Sequence, residues 1–458
     1  MLIRLAKMMG MKGLVERDPA EVRTVFFLLF MYTFLIADTM LLFPSVKPIM
    51  DEFGRNEADV GLISSIFIFL GAGVAIPWGY LADRYPRKTL VAFTVLIGEI
   101  PCLLTGYVKS YDQLLWVRSL TGLGIGGILP LIYSMVGDLV SEKERSTASA
   151  WTGLAEGVGT AAGMFLAGNL ANTSVRLLGA TGWRLPFVIV ALPNFLLVPI
   201  FWLTCREPTR GAGEQSIKEK IERGREYQRR IRPSDYINIF KNRTNLHAFL
   251  QGIPGTIGWG VLPAWVITYY NVEKGVSISM ATNLMLLVGI GMIFGGLFGG
   301  FWGDRLHRRS KKYLPMFCGI TTLVGIAFFY IMFHYPVPRP AGAAQMIIPL
   351  IIGILAGVFI TMTSSNIRAI VLNVNPPENR GAMMSLFSVT DSIGRGVGPY
   401  LGGVMIGVFG YVLTMDIATF FWIPCALVFL LLMMPRYPKD AARLEKLMEE
   451  RAAEMEKN

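Results

Sequence analysis

The chain has 458 residues, of which 53% are hydrophobic and only 16% charged. A soluble protein of that length carries more charge to cover its surface, so composition argues against a soluble globular fold. The net charge of +11 would suggest a nucleic-acid partner in a soluble chain, but here the Lys and Arg collect in alternate loops between apolar runs. That arrangement is the signature of membrane topology, and no nucleic-acid partner is expected.

Along the chain, "MLIRLAKMMGMKGLVER" mixes Leu and Met with basic residues and is followed by no small-residue cleavage site. It reads as an interfacial segment, residues 1–21, lying on the membrane surface. "RDPAEVR" then signals a helix start, with Asp18 as cap, Pro19 at the first position and Glu21 three residues after the cap. Apolar runs long enough to cross a bilayer follow near 22–45, 57–80, 89–108, 113–138, 146–170 and 184–204. A polar, strongly basic stretch, 205–245, interrupts them. Six more spans fall near 246–270, 279–303, 312–334, 344–372, 381–409 and 411–435, and 436–458 reads as a solvated helical tail with i,i+4 charge pairs. The predicted fold is an all-α membrane protein: twelve transmembrane helices in two pseudo-symmetric six-helix bundles, 22–204 and 246–435.

Basic residues set the orientation. The linker, "DRYPRK" and "DRLHRRSKK" are rich in them, and the opposite loops hold few, such as Lys47, Lys109 and Arg339. Both termini and the linker are therefore expected on the cytoplasmic side of a cell (inner) membrane. "NTS" at Asn172 matches a glycosylation acceptor in an outward loop. The four Cys (102, 205, 318 and 425) lie in or at the ends of apolar runs and read as packing residues; the three His are scattered. There is no nucleotide loop, metal-ligand spacing or nucleophile constellation, so neither an enzyme nor a cofactor nor a metal is expected. "GLGIGG" in span four follows no strand and reads as small residues for close helix packing.

The two halves share a plan. "GYLADRYPRK" (79–88) and "GFWGDRLHRR" (300–309) each follow the second span of their half. "RSTASAWTGLAEGVGTAAGMFLAGNL" from Arg145 aligns with "RGAMMSLFSVTDSIGRGVGPYLGGVM" from Arg380. In that alignment Glu156 matches Asp391, Gly159 matches Gly394, and Gly163 matches Gly398. Two such blocks in the same order mark an internal repeat, as found in secondary transporters.

On these residues the chain resembles the major facilitator superfamily over nearly its whole length. The doubled Gly-x-x-x-Asp-Arg-x-x-Arg-Lys/Arg loop carries the resemblance. "RSLTGLGIGG", "DLVSEKER" and "REPTRG" support it. "VGLISSIFIFLGAGVAIPWGYLADRYPRK" and "KNRTNLHAFLQGIPGTIGWGVLPAWVITYY" are similar to the spinster-like branch. Where that branch has Asp-Arg in span one and an acid seven residues after the span-four Arg, this chain has Asp38-Thr39 and Ile125. The resemblance implies alternating access by a monomer embedded in membrane lipids, and a lysophospholipid or similar amphipathic cargo coupled to protons. It also implies that the Asp-Arg loops act as cytoplasmic latches: Asp83, Arg84, Arg87 and Arg145 from one half, Asp304, Arg308 and Arg380 from the other.

Charges inside the spans supply the candidate site. Glu156 lies eleven residues beyond Arg145, about 16 Å into a core about 30 Å thick, and Asp391 lies at the matching depth. A charge there costs roughly 2.5–3.5 kcal/mol on insertion scales, so it must face a wetted cavity, find a partner or take a proton. Asp391 and Arg395 share a helix face and can pair, either as a purely structural ion pair or on a central cavity. Asp38, late in span one, and Arg118, early in span four, fall in the same half of the membrane and can pair too. Asp38, Glu156 and Asp391 are the candidate proton-coupling acids. Arg118 and Arg395, with Gln251, Trp259, Thr363 and Asn366, are the candidate substrate-binding residues, although Trp259 reads equally as packing and Thr363 and Asn366 equally as bonding their own helix backbone. Glu99 in span three is equally a structural partner or a transport residue. Trp265, Tyr269 and Tyr270 read as an interfacial belt, and Pro399 as a bend in span eleven. Two cargo classes stay open, lysolipid-like amphiphiles and small organic anions such as carboxylates, with drug export a variant of either; a membrane receptor that no longer transports is a third function.

Overall fold

The computed structural model describes residues 19–139, 145–171, 173–207 and 239–457. The N-terminal segment, the Asp18 cap, Asn172, nearly all of the basic linker, and the side chains of Asp83 and Arg145 lie outside the described set. Apart from an isolated bridge between Leu177 and Ala180, no strand pairs among the described residues.

Two compact units divide the chain, Met1–Tyr227 and Gln228–Asn458. Unit one holds α1 (Pro19–Met40), α2 (Leu42–Phe53), α3 (Glu57–Arg84), α4 (Arg87–Thr105), α5 (Tyr111–Leu139), α6 (Arg145–Leu170) and α7 (Leu185–Thr204). Unit two holds α8 (Arg243–Lys274), α9 (Ile278–Arg309), α10 (Tyr313–His334), α11 (Ile347–Leu372) and α12 (Pro377–Phe420). It continues through α13 (Trp422–Leu427), a π-helical turn (Val428–Met433) and α14 (Met434–Lys457). The first span is α1 and α2 in succession. The eleventh and twelfth share α12, broken at Gly410, whose φ of 77° only glycine adopts without strain. The bend expected at Pro399 is absent from the backbone dihedrals, which stay helical there.

Nine described stretches are long and apolar enough to cross a membrane, and one of them, Met383–Glu450, contains two of the expected spans. The other two spans are α6 and α8, which length and hydropathy alone do not select because Gly, Thr, Ser, Asn and Gln dilute their apolar residues. Twelve spans result. Caps fix several ends: Asn56, Asn242 and Ser277 accept from the first free amides of α3, α8 and α9, and Gly54 and Gly275 close α2 and α8 in left-handed conformation. The outer faces are apolar, as lipid requires, with Leu203, Ile76, Leu297 and Phe301 all strongly exposed.

Packing repeats between the units. In unit one α1 packs on α6, α3 on α5, and α4 on α5 and α7; in unit two α8 packs on α12, α9 on α11, and α10 on α11 and α13. Those are the same span pairs in each half. A Cβ on Gly163 would collide with the Ala37 carbonyl of α1, and a Cβ on Gly398 would come within 2.5 Å of the Gly260 Cα of α8. The two glycines that the internal repeat aligns thus do the same work, bringing backbones together where no hydrophobic effect drives helices in lipid.

The tail is not solvated all round. On α14, Tyr437 is fully buried; its hydroxyl accepts from Asn373 Nδ2 at 3.0 Å and shares a hydrogen bond with His307 Nε2 at 3.1 Å. Asp440 accepts from the Thr244 amide and hydroxyl at the start of α8, and Lys311 pairs with Glu445 at 2.5 Å. Ala441 and Leu444 are buried beside them. The charge pairs of the tail hide an apolar face that docks on unit two. Tyr437→Phe is expected to leave the half-buried Asn373 and His307 without this partner and to lower stability by about 1 kcal/mol. Thermal unfolding in detergent, with protease nicking within α14 as a second readout, checks this.

Candidate functional site

In unit one, four helices bring polar groups into an apolar interior. α1 and α5 run antiparallel, so Asp38 near the end of one meets Arg118 near the start of the other. Arg118 Nη1 donates to Asp38 Oδ1 at 2.6 Å, and Nη2 to the Asp38 carbonyl at 3.4 Å. Phe67 of α3 and Phe187 of α7 lie against the guanidinium, their ring centroids 5.1 and 5.2 Å from its carbon. Both charged residues are sealed: Asp38 is 0% and Arg118 1% exposed. The sequence lets the two residues pair at one level of the membrane, and in the structure the pair is closed and buried within unit one. Mutual neutralisation makes that burial tolerable.

Beside this pair, Glu99 on α4 is also 0% exposed. Its Oε1 accepts from Nδ2 of the buried Asn194 on α7 at 2.5 Å, and the same nitrogen donates to the Met31 carbonyl of α1 at 3.2 Å. Four buried atoms of the cluster have no hydrogen-bond partner: Asp38 Oδ2, Glu99 Oε2, Arg118 Nε and Asn194 Oδ1. Glu156, on α6 of the same unit, is exposed and lies outside this cluster.

Unit two is arranged differently. Asp391 is half-buried and Arg395, one turn on, is exposed, but no ion pair within 4 Å joins them among the described residues. Arg395 and Arg368 of α11 are the cationic neighbours of Asp391, and Arg368 is exposed as well. Arg368 is a residue that sequence reasoning passed over. Its signal was a lone guanidinium two residues after the "TMTSSN" run of a strongly apolar span.

The remaining substrate-binding candidates in unit two make intramolecular packing contacts. Gln251 is buried, with its amide donating to the Ala248 carbonyl at 3.1 Å. Trp259 is half-buried against Trp422, ring centroids 5.7 Å apart. Thr363 joins α11 to α10 through Thr322 at 3.1 Å and the Cys318 carbonyl at 3.3 Å. Asn366 ties α11 to α9 through the Gly299 carbonyl at 2.9 Å. The aromatic belt expected at Trp265, Tyr269 and Tyr270 is not at an interface with lipid. All three are buried; Trp265 donates to the Pro399 carbonyl at 2.9 Å and Tyr269 to the Phe333 carbonyl at 2.6 Å. A buried Trp or Tyr must spend its polar hydrogen, and here the neighbouring helices accept it.

Of the loop residues, Arg87 is buried, and its Nε and backbone amide both donate to Glu207 Oε1 at 3.1 Å. The other Glu207 oxygen accepts from the Lys88 amide at 2.7 Å. Glu207, in "REPTRG", therefore caps the otherwise uncapped start of α4 and neutralises Arg87 in one stroke. Arg84 lies over the Tyr80 ring at 4.4 Å. Arg308 donates to the Asp304 carbonyl at 3.4 Å, Arg380 donates to the Asn375 carbonyl at 3.2 Å, and the Asp304 carboxylate is exposed. All four cysteines are buried and free, and no group of metal-binding side chains occurs among the described residues.

Comparison with known proteins completes the picture. Residues 28–348 and 342–454 match the family model of the Major Facilitator Superfamily. The sequence is 26% identical to the gentisate transporter of Corynebacterium glutamicum over 360 residues, 78% of this chain and 74% of that one. It is 26% identical to the cis,cis-muconate transport protein of Acinetobacter baylyi over 345 residues, 69% of this chain and 78% of that one. Among solved structures, a bacterial homolog of the human lysosomal transporter Spinster, inward-facing and unoccupied, superposes with a TM-score of 0.73 at 20% identity, covering 94% of this chain and 98% of that one. The family model covers most of the chain, and the twelve spans and the repeated half agree with it: the chain belongs to the Major Facilitator Superfamily and is a multi-span membrane transporter.

Proposed function

We propose that the protein is a proton-coupled secondary transporter of small organic anions of the carboxylate class, working by alternating access. The observation that carries this reading is the pair of guanidiniums in unit two, Arg395 and Arg368. Both are exposed, neither has a carboxylate within ion-pairing distance among the described residues, and they share one half-buried acid, Asp391. A planar guanidinium holds a carboxylate through two parallel hydrogen bonds, and a cation left unpaired in a membrane span is otherwise costly. The names of the relatives, transporters of gentisate and of muconate, point to the same chemistry. Asp38, Glu156 and Asp391 are the acids whose protonation would couple cargo to the proton gradient. Asp83, Arg84, Arg145, Asp304, Arg308 and Arg380 would latch the basic-loop side, which we place in the cytoplasm with both termini, in a cell membrane; the working unit would be a monomer.

In proteoliposomes, Arg395→Gln is expected to lower gentisate uptake roughly 10- to 100-fold, the loss of one charge-assisted hydrogen-bonded contact of about 1.5–3 kcal/mol. Arg395→Lys should recover only part of it, since an ammonium cannot form the fork. Uptake within about twofold of wild type in the Gln variant would remove Arg395 from the cargo site. A second reading, a single-chain lysolipid, is favoured by Trp259, half-buried against the buried Trp422 of the same unit. It predicts that lysophosphatidic acid, and not gentisate, raises the melting temperature of the purified protein.

A further inference from the structure

Glu99 presents an unbalanced account. Among the described residues, the sealed cluster of unit one holds two carboxylates, Asp38 and Glu99, and one guanidinium, Arg118, each at most 1% exposed. Arg118 is spent on Asp38, to which it donates twice. With both acids ionised the sealed cluster would carry a net negative charge, which a medium of low dielectric strongly disfavours. The other side chain facing Glu99 is Asn194 of α7, which is neutral, and Cys102, one turn along α4, is likewise uncharged, its thiol donating to the Phe187 carbonyl at 3.5 Å.

Hydrogen bonding identifies where the missing proton sits. Asn194 Nδ2 donates to both Glu99 Oε1 and the Met31 carbonyl, and a carbonyl can only accept, so the orientation of the Asn194 amide is fixed. Glu99 Oε1 therefore accepts, and Oε2, which no donor reaches, is the oxygen left open to a proton. The partner oxygens, Glu99 Oε2 and Asn194 Oδ1, are both buried acceptors without a donor. One proton on Oε2 neutralises Glu99 and gives the cluster a donor where Glu99 Oε2, Asn194 Oδ1 and Asp38 Oδ2 are acceptors without one. We infer that Glu99 is the resident proton site of unit one, neutral while the Asp38–Arg118 pair is closed, and that it gives up its proton when transport opens that pair. In that step the Glu99 O–H bond breaks, the proton passes to the Asp38 carboxylate or to entering water, and Glu99 takes up the negative charge. The exchange role rests on the proton-coupled reading above; the protonation itself does not.

The test uses the full-length protein and Glu99→Gln, whose amide reproduces the protonated acid, with one accepting oxygen and a donor in place of Oε2–H. If Glu99 is neutral, the Gln variant melts within about 2 °C of wild type. An ionised Glu99 held by the cluster would instead give a marked loss of stability. Infrared difference spectra should show the carbonyl stretch of a buried protonated carboxyl at neutral pH, and Glu99→Gln should remove it. In proteoliposomes, the Gln variant should exchange gentisate across the membrane at equal pH while losing the accumulation of about tenfold that a one-unit pH gradient can drive per coupled proton. A carbonyl band unchanged by Glu99→Gln overturns the inference. A band removed with gradient-driven accumulation intact overturns the exchange role. Were the wild type to move no gentisate at all, the cargo assignment would fall, while the infrared band and the melting temperature would still decide whether Glu99 holds the proton.

Discussion

Arg118→Leu is expected to be the most damaging single substitution in unit one. It removes the one cation from a sealed site and leaves Asp38, 0% exposed, without its 2.6 Å partner. Breaking a buried pair from one side costs about 3–5 kcal/mol, because the remaining charge stays desolvated. The two phenylalanines that flank the guanidinium lose a cation at 5.1 and 5.2 Å as well. Asp38→Leu alone should cost a similar amount, for the same reason with the sign reversed. The double variant Asp38→Leu/Arg118→Leu should recover most of the loss, since apolar side chains of comparable volume often replace a buried pair without penalty. Thermal unfolding of the four proteins in detergent closes the cycle. Single variants within about 1 kcal/mol of wild type would mean that water reaches the pair and that the site is not sealed. The same double variant should fold and yet fail to couple, which separates a structural from a transport role for the pair.

Gly163→Val should be the second large effect, and Gly398→Val its counterpart in the other half. A Cβ at Gly163 meets the Ala37 carbonyl, and one at Gly398 meets the backbone of Gly260 within 2.5 Å. Backbone cannot step aside as a flexible side chain can, so overpacking here costs about 1–3 kcal/mol or more and forces α6 from α1, or α12 from α8. The control lies on the same helix: Gly157 has nothing within 4 Å of an added Cβ. Gly157→Ala should be neutral or stabilising by up to about 1 kcal/mol through helix propensity. Equal losses at positions 163 and 398, set against no loss at 157, would be read from melting temperatures. A tolerated Gly163→Val would break the equivalence of the two halves.

The twelve spans, their grouping into halves and the repeat were legible without coordinates, because lipid imposes a length and a polarity on every crossing segment. Even α6 and α8, too polar for a hydropathy window, were readable, one through the repeat and the other through its place in the order. The aligned glycines at 159/394 and 163/398 told where helices would approach. The charged residues in the spans announced themselves by type, and the antiparallel sense of spans one and four brought Asp38 and Arg118 to one level.

What each side chain does with its polar atoms could not be read in this way. Asp391 and Arg395 stand one turn apart and yet form no ion pair, because sharing a face sets a possibility and the surroundings set the outcome. Trp265, Tyr269 and Tyr270 have the composition of an interfacial belt but are buried, and the Pro399 and Phe333 carbonyls take the hydrogens of Trp265 and Tyr269. The tail has the charge pattern of a solvated helix and still buries Tyr437. Glu207 and Arg87 lie 120 residues apart, and Glu99 and Asn194 lie 95 apart. The amino-acid sequence by itself determined which segments leave water and how the two halves correspond, since transfer into lipid is a property of each segment. Only the tertiary structure decided which polar groups are partnered, sealed or left open, since that depends on which helix faces meet, and facing is a property of the packed set.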